Sequence, residues 1–165
     1  MWLRTASPKD VQAIDAILRE SWHAAYDDLI GHTAVETITA DWFDPMQLVQ
    51  DMGKPESEYI VGDDGTDLHG VAHALSGVDP KNPDTVLIQQ LCVRPSHQNQ
   101  GLGTQLLEEL ESCFPAARCF QVRVLAKNER GLQFFTHRGY ERIEEGTGSQ
   151  ESTQFFEVLL EKKIN

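Results

Sequence analysis

Residues 98–104, Gln98-Asn99-Gln100-Gly101-Leu102-Gly103-Thr104, set two glycines directly before an apolar stripe at helical spacing. Such a junction can hold an anion. The first turn of a helix offers unpaired N–H groups and a partial positive charge, and glycine lets a ligand approach the backbone closely. The chain contains 26 acidic residues, yet none falls between Asp84 and Glu108. A surface helix would ordinarily carry Asp or Glu in its first turn, where Thr104 and Gln105 stand here. A phosphate at this helix start accounts for the gap, and an ordinary strand–loop–helix connection also fits the loop taken alone. Two familiar phosphate patterns are excluded. The third glycine of a dinucleotide fingerprint is missing, and no Gly-Lys-Ser/Thr follows as in a nucleoside triphosphate loop.

The elements that must position this junction follow from periodicity. Residues 85–93 read as the strongest strand, apolar on both faces apart from Gln89 and Gln90, which suits a central position. Residues 101–113 read as a helix with Leu102, Leu106, Leu107 and Leu110 on one stripe, stopped before Pro115. Residues 119–126 form the next strand, and Asn128 can cap a helix running to His137, with Gly139 at its C-terminal end. Upstream, a strand over 3–7 leads through Ser7-Pro8 into a helix whose apolar face carries Val11, Ile14, Ile17, Leu18, Trp22 and Tyr26, until Gly31 breaks it. Helices over 33–42 and 45–52 follow. Strands over 57–62 and 68–77 flank a turn at Asp63-Asp64-Gly65, with Gly70 and Gly77 as bulge or end positions. Strands over 140–144 and 154–161 close the chain around a turn at 146–149. The expectation is a single α/β domain over residues 1–165, built around a mixed sheet.

Composition narrows the function. The net charge of −12 argues against a nucleic-acid partner. The charge is unevenly spread: residues 1–93 hold 5 basic and 16 acidic residues, whereas residues 94–142 hold 7 basic and 5 acidic. No apolar run approaches the roughly 20 residues that cross a bilayer. The N-terminal MWLRTASPKD lacks a signal pattern, so cytoplasmic residence is expected. Cys92, Cys113 and Cys119 have no metal-ligand spacing and are expected as reduced thiols, with no metal site.

Two blocks together carry a resemblance. Gln98-Asn99-Gln100-Gly101-Leu102-Gly103, after Leu91-Cys92-Val93-Arg94-Pro95, resembles the Gln/Arg-x-x-Gly-x-Gly/Ala loop of the GNAT superfamily of acyl-CoA-dependent N-acyltransferases. The segment from Asn128 to Tyr140, NERGLQFFTHRGY, is similar to that family's second block, Asn-x-x-Ala-x-x-Phe-Tyr-x-x-x-Gly-Phe. The resemblance covers residues 84–144. It implies a mixed, mostly antiparallel central sheet of about six or seven strands, flanked by helices on both faces and splayed between its two central strands. It also implies acetyl-CoA as cosubstrate, with a small-molecule or peptide amine as acceptor, and leaves a homodimer open. Backbone groups of Leu91, Cys92 and Val93 would then meet the pantetheine arm, beside a bulge near the end of their strand. Those of Gln98, Asn99, Gln100, Gly101, Leu102, Gly103 and Thr104 would hold the pyrophosphate, with the Gln98 side chain bracing the loop. Asn128 would contact pantetheine or order its helix, Phe134 would be core, and Phe135 would line the thioester end. Arg94, Lys127, Arg130 and Arg138 are candidates for the 3′-phosphate and adenine side.

The chain departs from the family where protons move. The family's frequent base, a Glu on the central strand, is replaced around Gln89, and its frequent acid, a Tyr, by Phe135. His73 and Tyr140 are the candidate catalytic substitutes. Trp22, Tyr26 and Asp27 are expected to bind the acceptor, and the acidic surroundings suit a cationic amine or a protein N-terminus. The rival expectation is a weak or inactive acyl-CoA-binding sensor.

Overall fold

The computed structural model describes residues 1–42, 44–143 and 156–164. In chain order the elements are β1 (Trp2–Thr5), α1 (Val11–Ile30), α2 (His32–Trp42), α3 (Pro45–Met52), β2 (Ser57–Asp63), β3 (Leu68–Ser76), β4 (Thr85–Val93), α4 (Leu102–Ser112), β5 (Cys119–Leu125), α5 (Glu129–Thr136), β6 (Glu141–Ile143) and β7 (Glu157–Lys163). The seven strands form one open sheet in the order β1-β2-β3-β4-β5-β7-β6. Among the described residues only the β4–β5 pair is parallel. The expected mixed, mostly antiparallel sheet with helices on both faces is therefore present. The turn expected at 146–149 and residues 154–155 of the expected last strand lie outside the described residues, and the last described strand runs Glu157–Lys163. No helix among the described residues is long and apolar enough to cross a membrane.

Alternation along the strands builds two cores, one on each face of the sheet. Tyr59, Val61 and Val71 face α1 and meet Ile14, Ile17 and Leu18. Ile60, Ala72, Ala74, Val86 and Ile88 face the other way, onto the α4 stripe of Leu102, Leu106, Leu107 and Leu110. At the edge, Arg4 ties β1 to its neighbours. It donates to both oxygens of Asp10 (2.8 and 2.9 Å) and to Asp63 (2.9 Å), linking the start of α1 to β2.

Two glycines set how closely α4 lies on the sheet. Gly62 and Gly70 face each other in the β2–β3 register, beside a shift at Gly62/Asp63. A Cβ on Gly70 would stand 2.7 Å from Leu106 Cδ1 and 3.2 Å from Leu102 Cδ2, and one on Gly62 3.1 Å from Leu102 Cδ1. Gly70, expected at a bulge, is thus also the floor on which the start of α4 rests. Leu106 is fully buried, so an added methyl has nowhere to displace it. Gly70→Ala should therefore destabilise the protein by about 1–3 kcal/mol, the usual cost of overpacking. Urea denaturation at constant m-value measures it.

Candidate functional site

β4 and β5 begin side by side and then part. Their ladder runs from Thr85 opposite Cys119 to Ile88 opposite Val122. Beyond that, β4 continues to Val93 against β3, and β5 continues to Leu125 against β7. The divergence starts at a bulge. His73 of β3 pairs with Gln90 and Ala74 with Ile88, so Gln89 is the extra residue. Past the bulge, the inner edges of β4 and β5 lack each other as hydrogen-bonding partners. An extended polar chain can fill that gap as a strand would.

The far end of β4 is held firmly. Ser21 Oγ of α1 donates to the Val93 carbonyl (3.2 Å), and Gln98 Nε2 donates to the same oxygen (3.0 Å). Gln98 thus braces the loop as its position in the motif implies. Arg94 does not turn toward the loop: its Nε donates to the Leu68 carbonyl (2.8 Å) and its guanidinium pairs with Glu20 (2.6 Å). A 3-10 turn over Pro95–His97 follows, and the chain then enters left-handed backbone at Asn99 (φ 62°) and Gly101 (φ 86°). Gly101 is the N-cap of α4. The N–H groups in the first turn of α4 have no carbonyl within the helix to meet, so they are open to an anion.

α5 and the turn after it bring cationic groups to this loop. Arg130 donates to Asn99 Oδ1 (3.3 Å). Arg138 donates to Thr104 Oγ1 and to the Phe134 carbonyl (2.7 Å), with its guanidinium 3.8 Å above the Phe134 ring. Of the four basic candidates, Arg130 and Arg138 are at the glycine loop, Arg94 is paired elsewhere and Lys127 is exposed. Both phenylalanines pack on the main core, Phe135 inside it and Phe134 partly buried at its margin. Phe135 is buried in the main core, edge-on to Tyr140, because its helix position points into the sheet. Phe134 packs beside the loop, and its ring would stand 3.3 Å from a Cβ on Gly103.

Asn128 caps α5 by accepting the Gly131 N–H (3.0 Å) and donates from Nδ2 to the Tyr26 hydroxyl (2.9 Å). A Cβ on residue 131 would lie 2.6 Å from Asn128 Nδ2. Glycine, where the family block has Ala, makes room for this arrangement. Tyr26 packs on Leu125 at the end of β5, and its ring centroid lies 4.5 Å from that of Trp22. Burial pushes its phenol up to about 12, with Cys92 and Glu157 adding to the rise. The tyrosine therefore stays protonated at the opening between β4 and β5. Burial likewise pushes the Cys92 thiol up to about 12, which leaves it a poor nucleophile.

The expected proton-transfer substitutes sit in closed surroundings. His73 stacks on Tyr59 (centroids 3.8 Å apart), its Nε2 is 2.8 Å from Ser57 Oγ, and 5% of it is exposed. Burial lowers its pKa to about 4, so it would be a weak base for an ammonium group. Tyr140 is 1% exposed, and its hydroxyl has no hydrogen-bond partner among the described residues. Its pKa is raised by burial, so its proton is held inside the core. Asp27 is engaged by two histidines, His23 and His32, at 2.7 and 3.2 Å. Sequence reasoning missed the Tyr26–Asn128 bond, which joins residues 102 positions apart, and this histidine cluster. The cluster had a signal, since His23/Asp27 and His32/Glu36 are each spaced one helical turn apart.

Comparison with known proteins agrees with this geometry. The family described as "Acetyltransferase (GNAT) domain" matches residues 55–142, more than half of the chain. No curated protein matches it. Among solved structures, the chain is similar to the PaiA N-acetyltransferase of Thermoplasma acidophilum in complex with coenzyme A. The TM-score is 0.86 and the identity 16%, covering 99% of this chain and 98% of that one. It is also similar to a ribosomal-protein-alanine N-acetyltransferase from Brucella melitensis, with a TM-score of 0.74 and 15% identity over 99% and 100% of the two chains. At such identities these structures bear on the fold. The family match goes further: the chain belongs to the GNAT family and is an acetyltransferase of the acetyl-CoA type.

A charge placed in the glycine loop tests it as the pyrophosphate site. Gly103 is too crowded for this, but nothing lies within 4 Å of a Cβ on Gly101. Asp and Asn tolerate left-handed backbone about equally. Gly101→Asp should therefore weaken coenzyme A binding at least about tenfold relative to Gly101→Asn, roughly 1.4 kcal/mol, in calorimetric titrations.

Proposed function

We propose that this GNAT acetyltransferase transfers the acetyl group of acetyl-CoA directly to a primary amine, either a small cationic amine or a protein N-terminus. The observation that carries this reading is the parting of β4 and β5 after Ile88 and Val122, directly beside the glycine loop. The residues fit the cosubstrate. The unpaired edge of β4 over residues 91–93 suits the amide-bearing pantetheine arm. The N–H groups of residues 98–104, backed by Arg130 and Arg138, suit the pyrophosphate. That one solved relative, the Thermoplasma enzyme, is a complex with coenzyme A supports the same assignment.

Bound acetyl-CoA would supply a thioester carbonyl, at which a C–N bond would form to the neutral amine as the C–S bond breaks, the proton lost by the amine nitrogen balancing the one gained by the leaving thiolate. The chain's contribution is to position, polarise and protonate. Backbone N–H groups of β4 past the Gln89 bulge orient the carbonyl. Tyr26, expected from the sequence as an acceptor residue, has the phenol that Asn128 directs to the opening, and it serves as the hydrogen-bond donor toward the sulfur. In this proposal α1 takes the role that the family commonly gives to the position of Phe135. Trp22, packed on Tyr26, flanks the same opening from α1 and lines the acceptor side. The excess of acidic residues in 1–93 favours a cationic acceptor. A relative named for ribosomal-protein alanine keeps a protein N-terminus among the acceptors to test.

A thiol-release assay with acetyl-CoA over a panel of polyamines, basic metabolites and N-terminal peptides tests the reading. Turnover with at least one amine is expected, and Tyr26→Phe should lower kcat about tenfold or more while leaving coenzyme A affinity within about threefold. Binding of coenzyme A without turnover on any acceptor would favour the sensor reading. Full activity in Tyr26→Phe would remove the tyrosine from the mechanism.

A further inference from the structure

The junction of α1 and α2 holds a cluster that acetyl transfer does not use. Gly31 (φ 95°) reverses the chain between the helices, so the His23/Asp27 turn of α1 faces the His32/Glu36 turn of α2. His23 Nδ1 lies 2.7 Å from Asp27 Oδ1, and His32 Nδ1 lies 3.2 Å from Asp27 Oδ2. The two rings stack with centroids 4.6 Å apart. Their other nitrogens converge on one atom: His23 Nε2 is 2.9 Å and His32 Nε2 3.6 Å from Glu36 Oε1.

The proton positions follow from the chemistry of Asp27. An ionised carboxylate only accepts, so each imidazole presents Nδ1–H to Asp27. In a neutral ring Nε2 then carries a lone pair. Two such lone pairs and a carboxylate oxygen face one another, all within 4.8 Å. Three electron-pair donors at this spacing repel unless a proton or a metal ion lies among them.

We propose that His23, His32 and Glu36 bind one divalent first-row transition-metal ion, with zinc the best fit, and that Asp27 orients both imidazoles from behind. Bonds of about 2.0–2.1 Å in tetrahedral arrangement separate ligand atoms by about 3.3 Å, between the two Nε2–Oε1 distances found here. Two imidazoles and a carboxylate are a borderline donor set that suits zinc better than calcium or magnesium. A carboxylate behind a metal-bound histidine is the usual device for fixing its tautomer, and here a single Asp serves two rings. Three protein ligands leave a fourth position open to water or to an incoming group. Because the ligands come from both helices, the ion would clamp α2 to α1 a turn away from Tyr26. The site is independent of the acetyl-transfer assignment.

The test uses full-length protein without a histidine tag, titrated with zinc chloride in a calorimeter and with cobalt chloride in visible absorption. One equivalent of zinc should bind with a dissociation constant below about 10 μM, cobalt should give a four-coordinate spectrum, and zinc should raise Tm. His32→Ala and Glu36→Gln should each weaken zinc binding at least about tenfold. Both side chains are more than half exposed (67% and 56%), so these variants keep the fold, which unchanged coenzyme A binding verifies. Absence of saturable binding, or equal affinity in a His23→Gln/His32→Gln double variant, would overturn the proposal. A cluster held together by protons alone gives that result.

Discussion

Hydrogen bonding between β4 and β5 stops four residues into the ladder, and much of the molecule is arranged around that interruption. A sheet that opens in its middle leaves strand edges needing a partner. The opening persists because each side is secured elsewhere. β4 stays paired with β3 to Val93, whose carbonyl takes donors from both Ser21 and Gln98. β5 stays paired with β7 along its whole length. The bulge at Gln89 turns the separation into local backbone geometry. The helices then cover the two faces without closing the gap, and the glycine floor at residues 62 and 70 lowers the start of α4 to where a phosphate chain would end.

Electrostatics follow the same layout. Arg130 on α5 and Arg138 in the turn just past its end converge on the loop, at Asn99 and Thr104. Arg94 lies next in sequence to the strand end but is spent on Glu20 and the Leu68 carbonyl, which locks α1 to the sheet. Proximity along the chain was thus a poor guide to which cation reaches the loop. A chain of net charge −12 keeps positive charge at the one place where a polyanion would bind, while the acidic excess lies in the segment expected to meet an amine.

What could be read from the sequence depended on whether its cause was local. The leucine stripe of α4, the central character of β4, the glycine loop and the Asn128 cap are set by residues within a turn or two, and each stands where periodicity places it. The Phe134/Phe135 pair illustrates the limit. Both are apolar neighbours, and only the helix phase against the sheet decides which enters the core. His73 and Tyr140 carry suitable chemistry, but burial against Tyr59 and beneath α4 came from contacts that no local pattern encodes. The same holds for Tyr26, whose meaning changes once Asn128 is seen to reach it across the fold.

The central claim is that one continuous surface, from the open edge of β4 to the first turn of α4, receives the cosubstrate. Amide hydrogen exchange with and without coenzyme A tests it most directly. Slower exchange is predicted at residues 91–93 and 101–104 together, with little change along the β1–β2 edge. Protection confined to another surface, or no change at both segments under saturating coenzyme A, would contradict the account.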